Sequence, residues 1–227
     1  MQRSTQERSA RSTEVGAASP RSTVRRRAQR ASYDPETVFA ILDAGLVAHV
    51  AFVHDDHPFV IPMAYARRDC DLVLHGSAVS RMLGVGAIGA AMSACVTLLD
   101  GLVYARSAFH HSVNYRSVVV LGRAREVTDE ADKRACLDTL VNRFAPGRAQ
   151  LVRAPTDKEL AVTRVLAIAI EEASAKIRTG GPIDDPEDMA VPVWTGQLPV
   201  GLRAMSHIPT PDDAPRFELP RRPNGID

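Results

Sequence analysis

The 227-residue chain holds 3 cysteines, and Cys70, Cys95 and Cys136 are too widely spaced to form a C-x-x-C pair. An odd count at such spacings excludes a disulfide framework and a structural zinc site, and the thiols read as small core residues in a reducing compartment. No apolar run approaches the roughly 20 residues that span a bilayer, and the first residues lack the apolar core of a secretory signal. A soluble cytoplasmic protein with no membrane partner is expected. Charge of one sign is missing too: the net charge is +1, so the chain has no large field with which to gather nucleic acid. Lysine is scarce, since Lys133, Lys158 and Lys176 are the only three among 28 basic residues. Catalytic signatures are also absent. No Walker loop or G-x-G-x-x-G supports a nucleotide fold, no H-E-x-x-H a metal centre and no G-x-S-x-G a hydrolase nucleophile. Seven histidines are present, but none has a carboxylate at ligand spacing along the sequence.

What remains is the composition of an ordinary globular protein, 45% hydrophobic and 24% charged. Residues 1–32 are rich in Ser, Thr and Arg and read as a disordered basic tail, too apolar-poor to offset its ordering entropy. A domain over residues 33–200 follows, then an irregular tail over 201–227. Asp34-Pro35-Glu36 starts a helix that Gly45 ends. Strands are expected at Leu46 to Val53, Phe59 to Ala66 and Asp71 to His75, with a short helix after Ser80. Further strands are expected at Ala94 to Leu99, Val103 to Ser107 and Ser117 to Val127. A helix over Asp129 to Phe144 and a capping box at Thr156-Asp157-Lys158-Glu159 precede a last strand from Val165, continued or frayed to Arg178. Six or seven antiparallel strands with interleaved helices predict a mainly β protein, a small barrel with flanking helices.

Three clusters carry the chemistry. His110-His111-Ser112-Val113-Asn114-Tyr115-Arg116-Ser117 packs two imidazoles, an amide, a phenol, a guanidinium and two hydroxyls into eight residues. Connecting loops favour Gly, Pro, Asn and Asp instead, so this string reads as groups that hold a ligand, or else as a polar strand edge. Gly76-Ser77-Ala78-Val79-Ser80-Arg81 lies between a strand and a helix, where hydroxyls, a guanidinium and free N–H groups suit a phosphate; helix capping is the alternative for Ser77. Val60-Ile61-Pro62-Met63 places a proline in mid-strand, which belongs at an edge or bulge. Strand alternation is expected to send His110 and His111 to opposite faces.

These strings, in the order Ile61-Pro62-Met63, Leu74-His75-Gly76-Ser77, Ser80-Arg81, Asp100-Gly101-Leu102-Val103 and His110 to Ser117, resemble the pyridoxamine 5′-phosphate oxidase-related flavin-binding split-barrel family. The branch resembled includes nitroimidazole-resistance-type proteins. Ser174 to Pro182 and Pro192-Val193-Trp194-Thr195-Gly196 share the resemblance, which runs from about Tyr33 to Val200.

The resemblance implies a six-stranded FMN-binding split β-barrel that forms a homodimer, with a flavin in each of two clefts between subunits. FMN is the implied cofactor; some relatives take FAD, and others haem or a deazaflavin. Ile61, Pro62 and Met63 would line the isoalloxazine and ribityl chain, and His75, Gly76 and Ser77 the ring edge. Ser80 and Arg81 would hold the phosphate, with Ser112, Asn114 and Arg116 completing the pocket. Met82 stands where vitamin-pathway oxidases carry Lys, so one phosphate cation is missing and that activity is not expected. Two functions follow. One is an oxidoreductase passing electrons from reduced nicotinamide through flavin to a small acceptor, where the cofactor carries the chemistry. The other is a non-catalytic flavin, haem or deazaflavin protein for storage or sensing, with His110 or His111 as the haem ligand.

Overall fold

A computed structural model describes residues 19–208 and 221–223. Expectations for residues 1–18 and for most of the C-terminal tail fall outside the described residues. Among the described residues are nine strands: β1 (Ala31–Ser32), β2 (Val47–His54), β3 (His57–Arg68), β4 (Asp71–Ser77), β5 (Ala91–Tyr104), β6 (Ser112–Glu126), β7 (Thr163–Ala169), β8 (Glu172–Arg178) and β9 (Gly196–Pro199). Four α-helices accompany them: α1 (Pro35–Ala44), α2 (Arg81–Ala87), α3 (Glu130–Phe144) and α4 (Asp157–Val162).

All pairings are antiparallel, and the order β6-β7-β4-β3-β2-β5 closes on itself because β5 also pairs with β6. This ring of six strands is the barrel. Strands β8 and β1 extend it beyond β6, and β9 extends it beyond β5. Long β6 pairs with β8 over Tyr115–Leu121 and with β7 over Ala124–Glu126. Gly122 sits at that change of partner, and a Cβ there would lie 2.0 Å from the Ala169 carbonyl oxygen. Glycine is therefore what lets β6 turn from one sheet into the other.

Alternation sorts the side chains. In β2, Ala48, Val50 and Phe52 point into the barrel, while Val47, His49 and Val53 point outward. The interior core joins these to Leu72, Leu74, Met82, Val118, Val120, Leu166 and Ile168, closed at one end by Val38, Ile41 and Leu42 of α1. A second core under α3 unites Val73, Val165 and Ala167 with Cys136 and Leu140. The caps follow the sequence. Asp34 accepts from the Thr37 N–H at 2.9 Å, Gly45 ends α1, and Thr156 with Glu159 forms the capping box of α4.

Four expectations are corrected. Ala94–Leu99 and Val103–Ser107 are one strand, β5, because a bulge at Asp100 absorbs the turn residues Asp-Gly within a continuous ladder. Strand β6 begins at Ser112, not Ser117, so the polar string is itself paired backbone. Val165 to Arg178 is two strands, β7 and β8, which pair with different parts of β6. Strand β9 follows Gly180 in a Pro-rich stretch that carries no apolar periodicity. Residues 19–32, read from composition as tail, lie against β8. Arg21 donates to Glu172 at 2.8–3.1 Å, Ser19 bonds the same carboxylate, and β1 pairs Ala31 and Ser32 with Lys176 and Ala175.

Candidate functional site

The barrel opens where β3 and β4 part. Their ladder runs from Arg68↔Asp71 to Tyr65↔Leu74 and stops there, although β4 continues to Ser77 and β3 extends back to His57. The split leaves Ile61, Pro62 and Met63 facing the end of β4, with one edge of β3 carrying no strand partner among the described residues. The mid-strand proline thus lies at a free edge, as its missing N–H requires. Ile61 and Met63 pack against the interior core, and Pro62 is exposed on the outer face.

Beyond β4 the chain turns into α2. Ser80 occupies the N-cap position, yet its hydroxyl makes no capping bond. The Ser77 hydroxyl accepts weakly from the Val79 N–H at 3.4 Å, and the Ser77 carbonyl accepts from the Ser80 N–H at 2.9 Å. Ser77 therefore shapes the turn and does not cap the helix. Arg81 is exposed, with its guanidinium 4.6 Å from the centre of the Phe59 ring. Phe59 stacks in turn on Phe52 at 5.4 Å. Met82 is fully buried in the barrel core and so points away from this corner. Gly76 packs close to Leu83, whose Cδ1 would lie 3.1 Å from a Cβ at position 76.

His75 is displaced from its expected place. Alternation along β4 puts Leu72 and Leu74 inside the barrel and Val73 and His75 on the other face, beneath α3. There His75 lines a cavity of 330 Å³ with Leu140, Val141, Phe144, Val152 and Pro155. Its Nδ1 is buried without a hydrogen-bond partner among the described residues, and burial holds its pKa below the ordinary imidazole value.

The residues of the β6 string are largely committed to partners elsewhere in the fold. Asn114 is buried; its Nδ2 donates to Gln197 Oε1 at 2.7 Å, and its Oδ1 accepts from Arg178. Arg178 also donates to the Gly180 and Gly181 carbonyls, both at 3.1 Å. Arg116 makes a two-pronged pair with Asp100 at 2.9 and 2.7 Å, which holds its pKa above the usual guanidinium value. Ser112 is half-buried and pairs with Val103 across the ladder. His110 and His111 do not alternate along a strand, because His110 ends a 3-10 turn over Ala108–His110. His110 Nε2 lies 2.8 Å from Asp185, and His111 Nδ1 lies 2.9 Å from the Ser107 carbonyl. The ligand atoms of His110, Asp185 and Asp188 lie within 4.8 Å of one another, a grouping invisible along the sequence.

The eleven candidate residues, eight from Ile61 to Arg81 and three from Ser112 to Arg116, do not come together as one cluster within one chain. In register, Pro62 lies opposite His49, His49 opposite Cys95 and Cys95 opposite Val119. Strand β6 is thus three strands from β3, about 14 Å across the sheet. The face between them is apolar and open: Val53 and Val60 are 61% and 62% exposed, with Val47 and Leu99 also exposed. A hollow of 340 Å³ on this face is lined by Ala51, Val53, Pro58, Ser93 and Leu121, with Arg21 at its edge.

A family profile described as pyridoxamine 5′-phosphate oxidase matches residues 34–177. Among solved structures, the flavocytochrome Anf3 from Azotobacter vinelandii is 40% identical, with TM-score 0.84 over 90% of this chain and 96% of that one. An FAD and haem binding protein from Mycobacterium smegmatis is also 40% identical, with TM-score 0.80 over 84% and 94%. A 5-nitroimidazole antibiotic resistance protein from Bacteroides thetaiotaomicron shares the fold, at 17% identity and TM-score 0.52 over 65% and 86%. A search of curated proteins gave no match. The split six-stranded barrel and the profile match agree: the chain belongs to the pyridoxamine 5′-phosphate oxidase family.

Proposed function

We propose that this chain binds a flavin at the split between β3 and β4 and works as a homodimeric oxidoreductase. The observation that carries the flavin reading is the likeness, at 40% identity over most of the chain, to a flavocytochrome and to an FAD and haem binding protein. The corner has donors to fit such a group. Ser80 and Ser77 offer hydroxyls, and Arg81 offers a guanidinium that no carboxylate neutralises among the described contacts. Pro62 presents an exposed apolar surface beside a strand edge whose backbone groups can bond a polar ring. Held there, a flavin would supply hydride and electron transfer between a reduced nicotinamide and a small acceptor such as a quinone, nitroaromatic or oxygen. The protein's part is to hold the phosphate with Arg81 and to position the ring against Pro62.

The Mycobacterium relative's cofactor favours FAD over the FMN expected from the wider family. The dimer reading rests on two features. The outer face of β2, β3, β5 and β6 is an exposed apolar sheet of the kind that marks an interface. A second copy laid on that face could bring its β6 string toward the β3–β4 corner of the first.

Haem is a second group favoured by the same two relatives. The visible spectrum of the purified protein, with released chromophores identified by mass, tests both. Flavin bands and an FAD mass support the main reading, and a Soret band supports haem. A colourless protein that refuses added FMN and FAD overturns the flavin assignment, and a monomer by light scattering overturns the dimer.

A further inference from the structure

The loop before β9 places three aspartates, Asp184, Asp185 and Asp188, within five residues, and the fold uses them differently. Asp184 is spent. Its carboxylate accepts from the Arg106 N–H at 2.8 Å and from the Arg106 guanidinium at 2.7 Å. Asp185 and Asp188 have no arginine or lysine partner among the described residues. Asp185 stands at the N-cap of the 3-10 turn Pro186–Ala190, yet its side chain makes no capping bond. It turns instead to His110, whose Nε2 lies 2.8 Å away. The same turn holds Asp188 beside it. The Asp188 N–H donates to the Asp185 carbonyl at 3.0 Å, and side chains three apart in such a turn eclipse. The Asp188 carboxylate has no hydrogen bond or ion pair among the described residues.

His110 reaches this pair from a distant part of the chain, 75 positions from Asp185. It ends the 3-10 turn Ala108–His110 ahead of β6, and its ring meets the Phe109 ring edge-on at 5.1 Å. The ligand atoms of His110, Asp185 and Asp188 all lie within 4.8 Å of one another. Two carboxylates brought so close repel unless positive charge stands between them, and Arg106 is already held by Asp184. One imidazole nitrogen with two carboxylate oxygens is a mixed donor set that suits zinc, whereas magnesium and calcium prefer oxygen alone. Zinc takes such ligands at about 2.0–2.2 Å, which sets them about 3.4 Å apart in a tetrahedron. The unbonded Asp188 side chain is free to rotate over the remaining distance. The His110 and Asp185 side chains are 21% and 55% exposed, so an ion reaches them from solvent and keeps water in its fourth position.

We propose that His110, Asp185 and Asp188 bind a divalent cation of the zinc type. The ion ties the turn that opens β6 to the loop that leads into β9. The site uses none of the residues at the β3–β4 corner and does not rest on the flavin reading. With Nε2 on the cation, His110 is no longer available to haem iron.

The test is zinc chloride titration of the purified chain after dialysis against chelator, read by calorimetry, with thermal melting on the same samples. The native chain is expected to take one zinc per chain and to melt at rising temperature as zinc is added. Asp188→Asn and His110→Gln are each expected to weaken zinc binding roughly tenfold or more and to lose that rise. Asp188→Asn removes a charge and no hydrogen bond, so its melting without metal stays native. His111→Gln is expected to bind zinc as the native chain does, and magnesium chloride to leave the melting temperature unmoved. A native chain that takes no zinc overturns the assignment, as does zinc binding that both ligand variants leave intact. Flavin retention is measured separately, and its failure would leave the cation site standing.

Discussion

The corner at the start of α2 and the string at the start of β6 carry similar side chains, Ser with Arg in one and Ser, Asn and Arg in the other. Their states differ. In the β6 string the polar groups have found partners inside the fold: Asn114 bridges Arg178 and Gln197, and Arg116 faces Asp100. At the corner the Ser80 hydroxyl caps nothing and the Arg81 guanidinium lies on an aromatic ring. A polar group already bonded in the folded chain must break that bond to meet a ligand, so much of the gain is lost. Groups not bonded within the fold exchange water for the ligand and break no hydrogen bond of the folded chain. Polar density alone therefore does not make a site; the density of unspent hydrogen-bonding capacity does.

The largest effect expected from this contrast is on folding. Asn114→Ala removes the acceptor of one buried Arg178 bond and the donor to Gln197, at a cost of about 2–3 kcal/mol. Urea denaturation should show the lowered midpoint, with flavin affinity of the folded protein little changed. The opposite pattern, native stability with poor flavin retention, would make the β6 string a ligand site after all.

Arg81→Ala should do the reverse. Losing a charged hydrogen bond to phosphate weakens flavin retention by about 1.5–3 kcal/mol. Stability falls by less than about 1 kcal/mol, the scale of the exposed contact with Phe59. Equilibrium dialysis of flavin against the variant checks it, and unchanged retention would remove Arg81 from the corner's function.

Arg116→Ala is the smaller companion. Its pair with Asp100 is part-exposed, 43% and 30% by side chain, so less than about 1 kcal/mol of stability is at stake. Flavin retention should change less than for Arg81→Ala, because Asp100 already neutralises the guanidinium. An equal loss for both variants, measured side by side, would show that Arg116 abandons Asp100 for the ligand.

The same distinction explains what could be read in the sequence. Capped helices and the proline at a strand edge were legible, since each follows from local chemistry. The site motifs were legible as residue types in order. Commitment was not, because Asn114 meets Gln197 83 positions away and Arg116 is held across a bulge that reads as a turn. The face on which His75 lies was open to alternation from Leu72, Leu74 and Gly76, had the apolar positions been assigned to the interior first. The cavity it lines could not be foreseen, as its walls come from α3 and from the loop near Val152 and Pro155.

His75 offers the finest test of the contrast, since it borders the corner in sequence but turns its ring away from it. Burial lowers its pKa in the folded chain below the ordinary value of 6.5. Above that value the ring is neutral in both folded and unfolded chains, and no stability depends on it. As pH falls through 6.5 the unfolded chain takes the proton first, so stability declines until the folded ring is protonated too. His75→Gln removes this decline, and its urea midpoint should fall less than the native midpoint between pH 7.5 and pH 5.5. Flavin affinity at neutral pH should stay the same, because the ring faces α3. Identical pH slopes would mean that the ring is solvated, and a loss of flavin would place it at the corner.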